Sequence, residues 1–150
     1  MIKRFEKFSS SIFTIFRYIQ HLETEEMEKY GLKGSFVQYL LIMDRFEEGI
    51  TAAKLGKLCD KDKAAVSRAL REMQEKGLIC RREGENGHYR APLFLTSQGR
   101  DAAEFVAMRA KLAVEAAGEG LSDEHRKIFY DTLDLIAQNL QNICKDGIPE

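Results

Sequence analysis

Cationic and small side chains share one face of a short predicted helix, residues 63–76. Two arginines on that face, Arg68 and Arg71, could each bond guanine O6 and N7 in a DNA major groove, worth roughly 1–3 kcal/mol of discrimination per pair. Two alanines on the face are small enough to let the backbone approach the DNA and could contact thymine methyls. Its lysine and its serine are better suited to phosphate contacts. The alternative for each arginine is an ordinary solvated side chain. We predict a DNA-reading helix whose contacts are Lys63, Ala64, Ala65, Ser67, Arg68 and Arg71.

A second cationic group lies in a predicted β-hairpin after this helix. Residues 78–83 and 88–95 have the pattern of strands, and Asn86-Gly87 between them is a strong hairpin signal because both positions tolerate positive φ. Acidic residues in the same hairpin could pair with some of its cations instead of DNA. The DNA-binding candidates of this predicted wing are Arg81, Arg82, His88 and Arg90, and we expect Arg90 to reach the minor groove.

The charge of the chain is divided unevenly along its length. Residues 51–90 carry ten Lys and Arg against six Asp and Glu, whereas the rest of the chain is net acidic. A local basic field on an acidic body suits a DNA-contacting module, although ordinary scatter of surface charge could give the same excess. Lys54 and Lys57, in the helix before the DNA-reading helix, are supporting candidates that are equally well explained as solvated lysines.

Local signals define a helix–turn–helix around the DNA-reading helix. Thr51 is predicted as the N-cap of a short helix, AAKLGKLC. Asp62 is predicted to cap the next one by accepting a hydrogen bond from the backbone amide of Ala64 or Ala65. Gly77 should end that helix in the left-handed conformation. The buried stripe of the DNA-reading helix is predicted to be Val66, Ala69, Leu70 and Met73.

Two helices precede this unit and two follow the hairpin. Apolar residues recur at three- and four-residue steps over residues 3–29, which predicts a long amphipathic helix. Ser35 is predicted to cap a second helix, FVQYLLIMDRFEE, that stops at Gly49. After the hairpin, one helix runs to Gly118 and another begins after Ser122. The predicted fold class is mainly α with a small β-wing.

Composition and the scatter of reactive side chains exclude several classes of function. The 150 residues, 44% of them apolar, are enough to bury a core and are not typical of disorder. Neither a membrane-length apolar run nor a signal-peptide core is present, so we expect a cytoplasmic protein without a membrane partner. We find no nucleophile–base pair, phosphate-binding glycine loop or metal-ligand spacing. No enzyme activity, catalytic residue, cofactor or metal is therefore predicted.

The three cysteines, Cys59, Cys80 and Cys144, lie far apart without a CxxC spacing. Such a set fits reduced thiols in a reducing compartment. Cys59 follows an apolar stripe and Cys80 lies in a predicted strand, so both are expected to be small core residues.

The two long terminal helices carry more apolar face than one small winged lobe can cover. A second copy of the chain could bury that face, which favours a homodimer built from these helices. The alternative is a monomer in which the terminal helices pack on each other alone.

Three stretches, YGLKGSFVQYLL, EEGITAAKLGKLCDKDKAAVSRALREMQEKGLI and LFLTSQG, closely resemble the multiple antibiotic resistance regulator (MarR) family of winged helix–turn–helix transcription factors. The resemblance covers nearly the whole chain in order. It implies a single domain over 1–150, in which 1–30 and 97–150 form a helical dimerisation region and 35–96 form the winged helix–turn–helix lobe. It also implies a small-molecule pocket between these regions in many members.

The wing departs from the family's pattern. Many members carry Asp-x-Arg in the wing, with the arginine seven residues before the threonine of the Leu-Thr motif. Counting back from Thr96 reaches Gly87-His88-Tyr89, and the nearest arginine is Arg90. A shift by one position would turn that arginine to the other face of its strand.

The family's pocket lies near the turn between the first two helices. Tyr30, Phe36 and Tyr39 flank that turn, and aromatic rings with phenolic groups suit an aromatic or amphipathic effector. Ordinary core packing is the favoured alternative for these three residues.

Together these observations predict a sequence-specific DNA-binding transcriptional regulator. We expect a ligand-responsive repressor that acts as a homodimer on a near-palindromic operator in double-stranded DNA, with an effector of unidentified chemistry. Its two reading helices would enter major grooves about one helical turn apart. The alternative is a winged-helix module that binds proteins and not DNA.

Overall fold

The computed structural model describes residues 2–82 and 91–149, which form six helices and two strands. The chain divides into two compact units, Met1–Ala110 and Lys111–Glu150. The mainly α fold with a small sheet is confirmed. In chain order the elements are α1 (Ile2–Glu28), α2 (Phe36–Asp44), α3 (Ala52–Cys59), α4 (Lys63–Glu75), β1 (Ile79–Arg81), β2 (Leu93–Leu95), α5 (Ser97–Ala117) and α6 (Asp123–Asp146).

Both predicted caps of the helix–turn–helix are confirmed. Thr51 Oγ1 accepts a hydrogen bond from the amide of Lys54 (3.2 Å), and Asp62 Oδ1 accepts one from the amide of Ala65 (2.8 Å). That second bond stabilises the carboxylate and is the main reason why the pKa of Asp62 is lowered. Gly77 has a φ of +72° and follows α4 as the predicted left-handed stop. These local contacts fix both ends of α4.

The helix α2 begins at Phe36, as predicted, but its predicted capping bond and its predicted end are wrong. Ser35 has helical backbone angles and its side chain makes no capping bond, because turn bonds from the amides of Phe36 and Val37 begin the helix instead. The helix ends at Asp44, before Gly49. The chain must leave the helix early because Ile50 forms a β-bridge with Leu93 through two backbone hydrogen bonds of 3.0 and 2.9 Å.

The two strands form an antiparallel sheet at the base of the predicted wing. Ile79 faces Leu95, Cys80 faces Phe94, and Arg81 faces Leu93. Within the described residues the strands are shorter than predicted. Side chains alternate between the two faces of a strand. Because Ile79 lies on the buried face, Cys80 lies on the outer face and is exposed, so its assignment to the core is wrong. Cys59 is buried, as predicted.

One hydrophobic core joins the end of α1, α2, α3, α4, the sheet and the start of α5. Its largest fully buried side chains are Phe36, Met27, Leu40, Leu55, Met73, Leu78 and Leu93. Of the predicted α4 stripe, Val66, Leu70 and Met73 are buried, and Ala69 packs against the core while partly exposed. Gly99 allows α5 to approach β1, since a Cβ there would lie 1.9 Å from the carbonyl oxygen of Leu78. The core therefore packs against the apolar face of α4.

The long terminal helices leave apolar side chains exposed. On α1, Phe5 and Phe13 are each 71% exposed. On α6, in the second unit, no side chain is buried and Leu135 is 61% exposed. Over the described residues, no helix is both long enough and apolar enough to cross a membrane.

Candidate nucleic-acid interface

The outer face of α4 carries the predicted DNA contacts. Arg68 and Arg71 are exposed, as are Lys63, Ala64 and Ser67, whereas Ala65 is half-buried. The opposite side of the helix is packed into the core. The amphipathic pattern that buries the apolar stripe therefore turns these cationic and small side chains toward solvent.

The two ends of α4 differ in charge. The basic residues Lys63, Arg68 and Arg71 occupy the first two-thirds of the helix, and Glu72 and Glu75 follow them. A groove of about 570 Å³ runs beside this acidic end and is lined by Lys33, Arg68, Arg71, Glu72, Glu75 and Lys76. The basic residues of α4 therefore lie toward its N-terminal part, whereas the carboxylates at its C-terminal end share the groove with four cations.

Lys33 is a cation beside α4 that the sequence analysis missed. Its Nζ lies 2.7 Å from Glu72 Oε2 across 39 residues of sequence. Lys76, at the end of α4, donates a hydrogen bond of 2.9 Å to the carbonyl of Gly31. No local pattern signals either contact. Together they attach the C-terminal end of α4 to the turn after α1.

The supporting cations lie on α3 and at the wing base. Lys54 and Lys57 are both exposed, and Lys54 Nζ lies 4.3 Å from the ring centroid of Phe46. Arg82 is exposed, with its guanidinium carbon 4.4 Å from the ring centroid of Phe94, whereas Arg81 is half-buried. The two remaining wing candidates, His88 and Arg90, lie outside the described residues.

Of the three predicted pocket residues, Tyr30 lines a cavity in the described part of the chain, whereas the other two are packed in the core. Phe36 and Tyr39 are 1% and 3% exposed in the core, and burial raises the pKa of Tyr39. The exposed Tyr30 packs against Phe105, with ring centroids 4.6 Å apart. This half-open cavity of about 520 Å³ is lined by Tyr30, Leu32, Lys76, Leu78, Gln98, Asp101, Ala102 and Phe105.

Hydrogen bonds connect the end of α4 to the start of α5. Thr96 Oγ1 donates to the carbonyl of Gly77 (2.5 Å) and accepts from the amide of Gly99 (3.1 Å). The amide of Thr96 also donates to the carbonyl of Leu78 (3.0 Å). One threonine thereby caps α5 and holds it against the turn that ends α4.

A bidentate ion pair connects α1 to α5 within the first unit. Arg109 donates to both carboxylate oxygens of Glu26, at 2.9 and 2.8 Å, and Lys29 Nζ lies 2.8 Å from the same carboxylate. Hydrogen bonds from Arg109 and then Lys29 lower the pKa of Glu26 to about 2. This charge-assisted bidentate pair holds α1 against α5.

No arrangement suited to metal binding occurs in the described part of the chain, where no three His, Cys, Asp or Glu side chains converge. His21, one of the scattered histidines, lies 3.4 Å from Glu25 on the same exposed helix face. The site's chemistry is thus that of cations, amides and small side chains.

A helix–turn–helix followed directly by a two-stranded hairpin defines the winged helix–turn–helix class. Residues 30–91 match the MarR family. Over 113 residues the chain is 27% identical to YdgJ, an uncharacterised HTH-type transcriptional regulator of Bacillus subtilis, covering 75% of this chain and 68% of that protein.

Solved structures share this fold. A MarR-family transcriptional regulator of Listeria monocytogenes complexed with a 26-mer DNA has a TM-score of 0.76 at 22% identity, covering 94% of this chain and 95% of its own. The S. aureus MepR–DNA complex has a TM-score of 0.79 at 18% identity, covering 87% and 96%. The chain is therefore similar to the MarR family over residues 30–91, and solved MarR-family regulators share its fold.

Proposed function

We propose that this protein is a cytoplasmic, sequence-specific repressor that binds duplex DNA as a homodimer and releases it when a small molecule binds. The proposal rests on the exposure pattern of α4: its basic and small residues are exposed, whereas its apolar stripe is buried. Arg68 and Arg71 read bases, and Lys63 and Ser67 contact phosphates. The relatives from L. monocytogenes and S. aureus were solved in complexes with DNA, which supports this assignment.

The exposed apolar faces of α1 and α6 support the homodimer. Large side chains such as Phe13 and Leu135 would be covered by a second copy, in a region assigned to residues 1–30 and 97–150. The lobe over residues 35–96 then occurs twice, related by a two-fold axis. A near-palindromic operator with half-sites about one helical turn apart follows from that symmetry.

The cavity beside Tyr30 supports control by a small molecule. Its walls combine the Tyr30–Phe105 pair with the charges of Lys76 and Asp101. Lys76 directly follows α4, and Gln98 and Asp101 lie in the first turns of α5. A ligand that contacts both elements would favour one arrangement of α4 over another, which is the requirement for a shift in DNA affinity.

Selection of bound duplexes from a random pool tests the function. We expect enrichment of a near-palindromic sequence, two protein chains per duplex by sedimentation, and an affinity that falls steeply with salt as counterions are released. Failure to enrich any sequence, with no mobility shift at low salt, would refute the DNA-binding function and favour the protein-interaction alternative.

A further inference from the structure

Two exposed cations, one on α3 and one at the wing base, each lie against an aromatic ring. The guanidinium carbon of Arg82 lies 4.4 Å from the ring centroid of Phe94, and Lys54 Nζ lies 4.3 Å from that of Phe46. Both cations are exposed, whereas both rings are half-buried. Each distance is within the range of a cation–π interaction.

The two pairs flank one β-bridge. Ile50 and Leu93 exchange two backbone hydrogen bonds, which join the segment that carries Phe46 and Lys54 to strand β2. Phe94 is the next residue of β2 and faces Cys80 on the outer side of the sheet. The two cation–aromatic pairs are therefore carried by segments that the Ile50–Leu93 bridge joins.

The Phe94 ring packs against the backbone at Gly49. Gly49 has a φ of +87°, and a Cβ at this position would lie 2.7 Å from Cζ of Phe94. The end of the ring therefore packs against a residue without a side chain, and Pro92 also lies close to Gly49. A ring packed in this way offers Arg82 a rigid surface.

Pairing with a ring should raise the affinity for a ligand, because it orders the cationic side chain before binding. Free arginine and lysine side chains lose rotamer freedom when they contact a ligand, and a side chain already ordered loses less. At exposed sites a cation–π pair is worth about a twofold to fivefold change in an equilibrium constant. A guanidinium stacked by its face keeps its N–H edge available for a phosphate.

We propose that Phe94 and Phe46 are positioning residues of the DNA interface, which hold Arg82 and Lys54 for contacts with backbone phosphates on both sides of the Ile50–Leu93 bridge. This inference rests on the proposed DNA-binding function. Phosphate contacts carry no sequence information. The two rings therefore raise affinity for selected and scrambled duplexes alike, in contrast to the base-reading arginines of α4.

A double-mutant cycle tests the Phe94 pair. The affinities of wild type, Phe94→Leu, Arg82→Gln and the double variant are measured by fluorescence anisotropy, on a duplex selected by the wild type and on its scrambled counterpart. We expect Phe94→Leu to weaken binding about twofold to fivefold on both duplexes. It should have no further effect when Arg82 is already Gln. Arg82→Gln should lower the salt slope of log K by about 0.9, the value of one phosphate.

The Arg82→Gln background is the matched control, because Phe94 there has no guanidinium to hold. A merely structural role would predict that Phe94→Leu weakens binding equally in both Arg82 backgrounds, which would overturn the inference. Unchanged affinity of Phe94→Leu would overturn it as well. If Phe94→Leu does not fold, judged by circular dichroism, the same cycle on Phe46→Leu and Lys54→Gln decides. Absence of DNA binding by the wild type would instead refute the proposed function itself.

Discussion

Leu55 of α3 and Leu135 of α6 have the same chemistry and opposite surroundings. Leu55 on α3 is fully buried in the core beneath α4, whereas Leu135 on α6 is 61% exposed in a helix without a buried side chain. The first region is complete within one chain. The second carries an apolar face that one chain leaves uncovered, which is typical of an association surface.

Truncation of a buried leucine should give the largest effect on stability. We expect Leu55→Ala to lower the free energy of unfolding by about 2–5 kcal/mol, because the lost contacts leave a cavity. Urea unfolding followed by circular dichroism measures the change. Leu58→Ala is the matched control, since Leu58 lies one turn further along the same helix and is 45% exposed. Equal losses in the two variants would contradict the assignment of a core to the lobe.

A charge on the apolar face of α6 should act on association and leave the lobe intact. Ile128 is 54% exposed, so Ile128→Glu is tolerated in a single chain but places an unpaired charge within the proposed dimer interface. We expect the dimer dissociation constant to rise at least about tenfold, by sedimentation equilibrium, equivalent to about 1.4 kcal/mol. Glu124→Lys, an exposed charge change in the first turn of α6, serves as control. An unchanged dimer would place the interface elsewhere.

The ion pair between α1 and α5 should make a smaller contribution to stability, which is present near neutral pH and lost in acidic solution. The pKa of Glu26 is lowered from 4.5 to about 2 by Arg109 and Lys29. The folded chain therefore holds this carboxylate deprotonated more strongly than the unfolded chain. The resulting contribution to stability is complete above the unfolded pKa of about 4.5 and is lost as the pH falls toward about 2.

Thermal unfolding of wild type and Glu26→Gln at a series of pH values measures this contribution. The difference between their melting temperatures should be largest near neutral pH and should shrink as the pH falls below about 4.5. A difference that stays constant over the acidic range would show that the ion pair does not contribute.

Local signals predicted the lobe well and the long-range contacts poorly. Asp62 and Gly77 define α4 because each acts on backbone groups a few residues away. Ser35 has the residue type of a cap, but the turn before α2 is already helical and its hydroxyl makes no capping bond. The face of Cys80 depends on a strand partner that lies further along the chain.

Part of the candidate site could also be predicted, because it depends on local sequence signals. The exposed face of α4 follows from helical periodicity, so Arg68 and Arg71 could be placed outward from sequence alone. Phe36 and Tyr39 flank the predicted pocket in sequence, but tertiary packing places them in the core. The Arg109–Glu26 pair joins residues 83 positions apart, and single-sequence patterns carry no signal at that distance.

The exposed face of α4 is proposed to contact the bases of DNA. The most direct test compares the affinities of wild type, Arg68→Ala and Lys145→Ala for the selected duplex and for its scrambled counterpart. Lys145 is an exposed cation near the end of α6, so its variant controls for the loss of one charge. We expect Arg68→Ala to lose about 1–3 kcal/mol of discrimination between the duplexes with the dimer intact, and Lys145→Ala to lose none. Full discrimination by Arg68→Ala would contradict the assignment of base reading to this residue and to its face of α4.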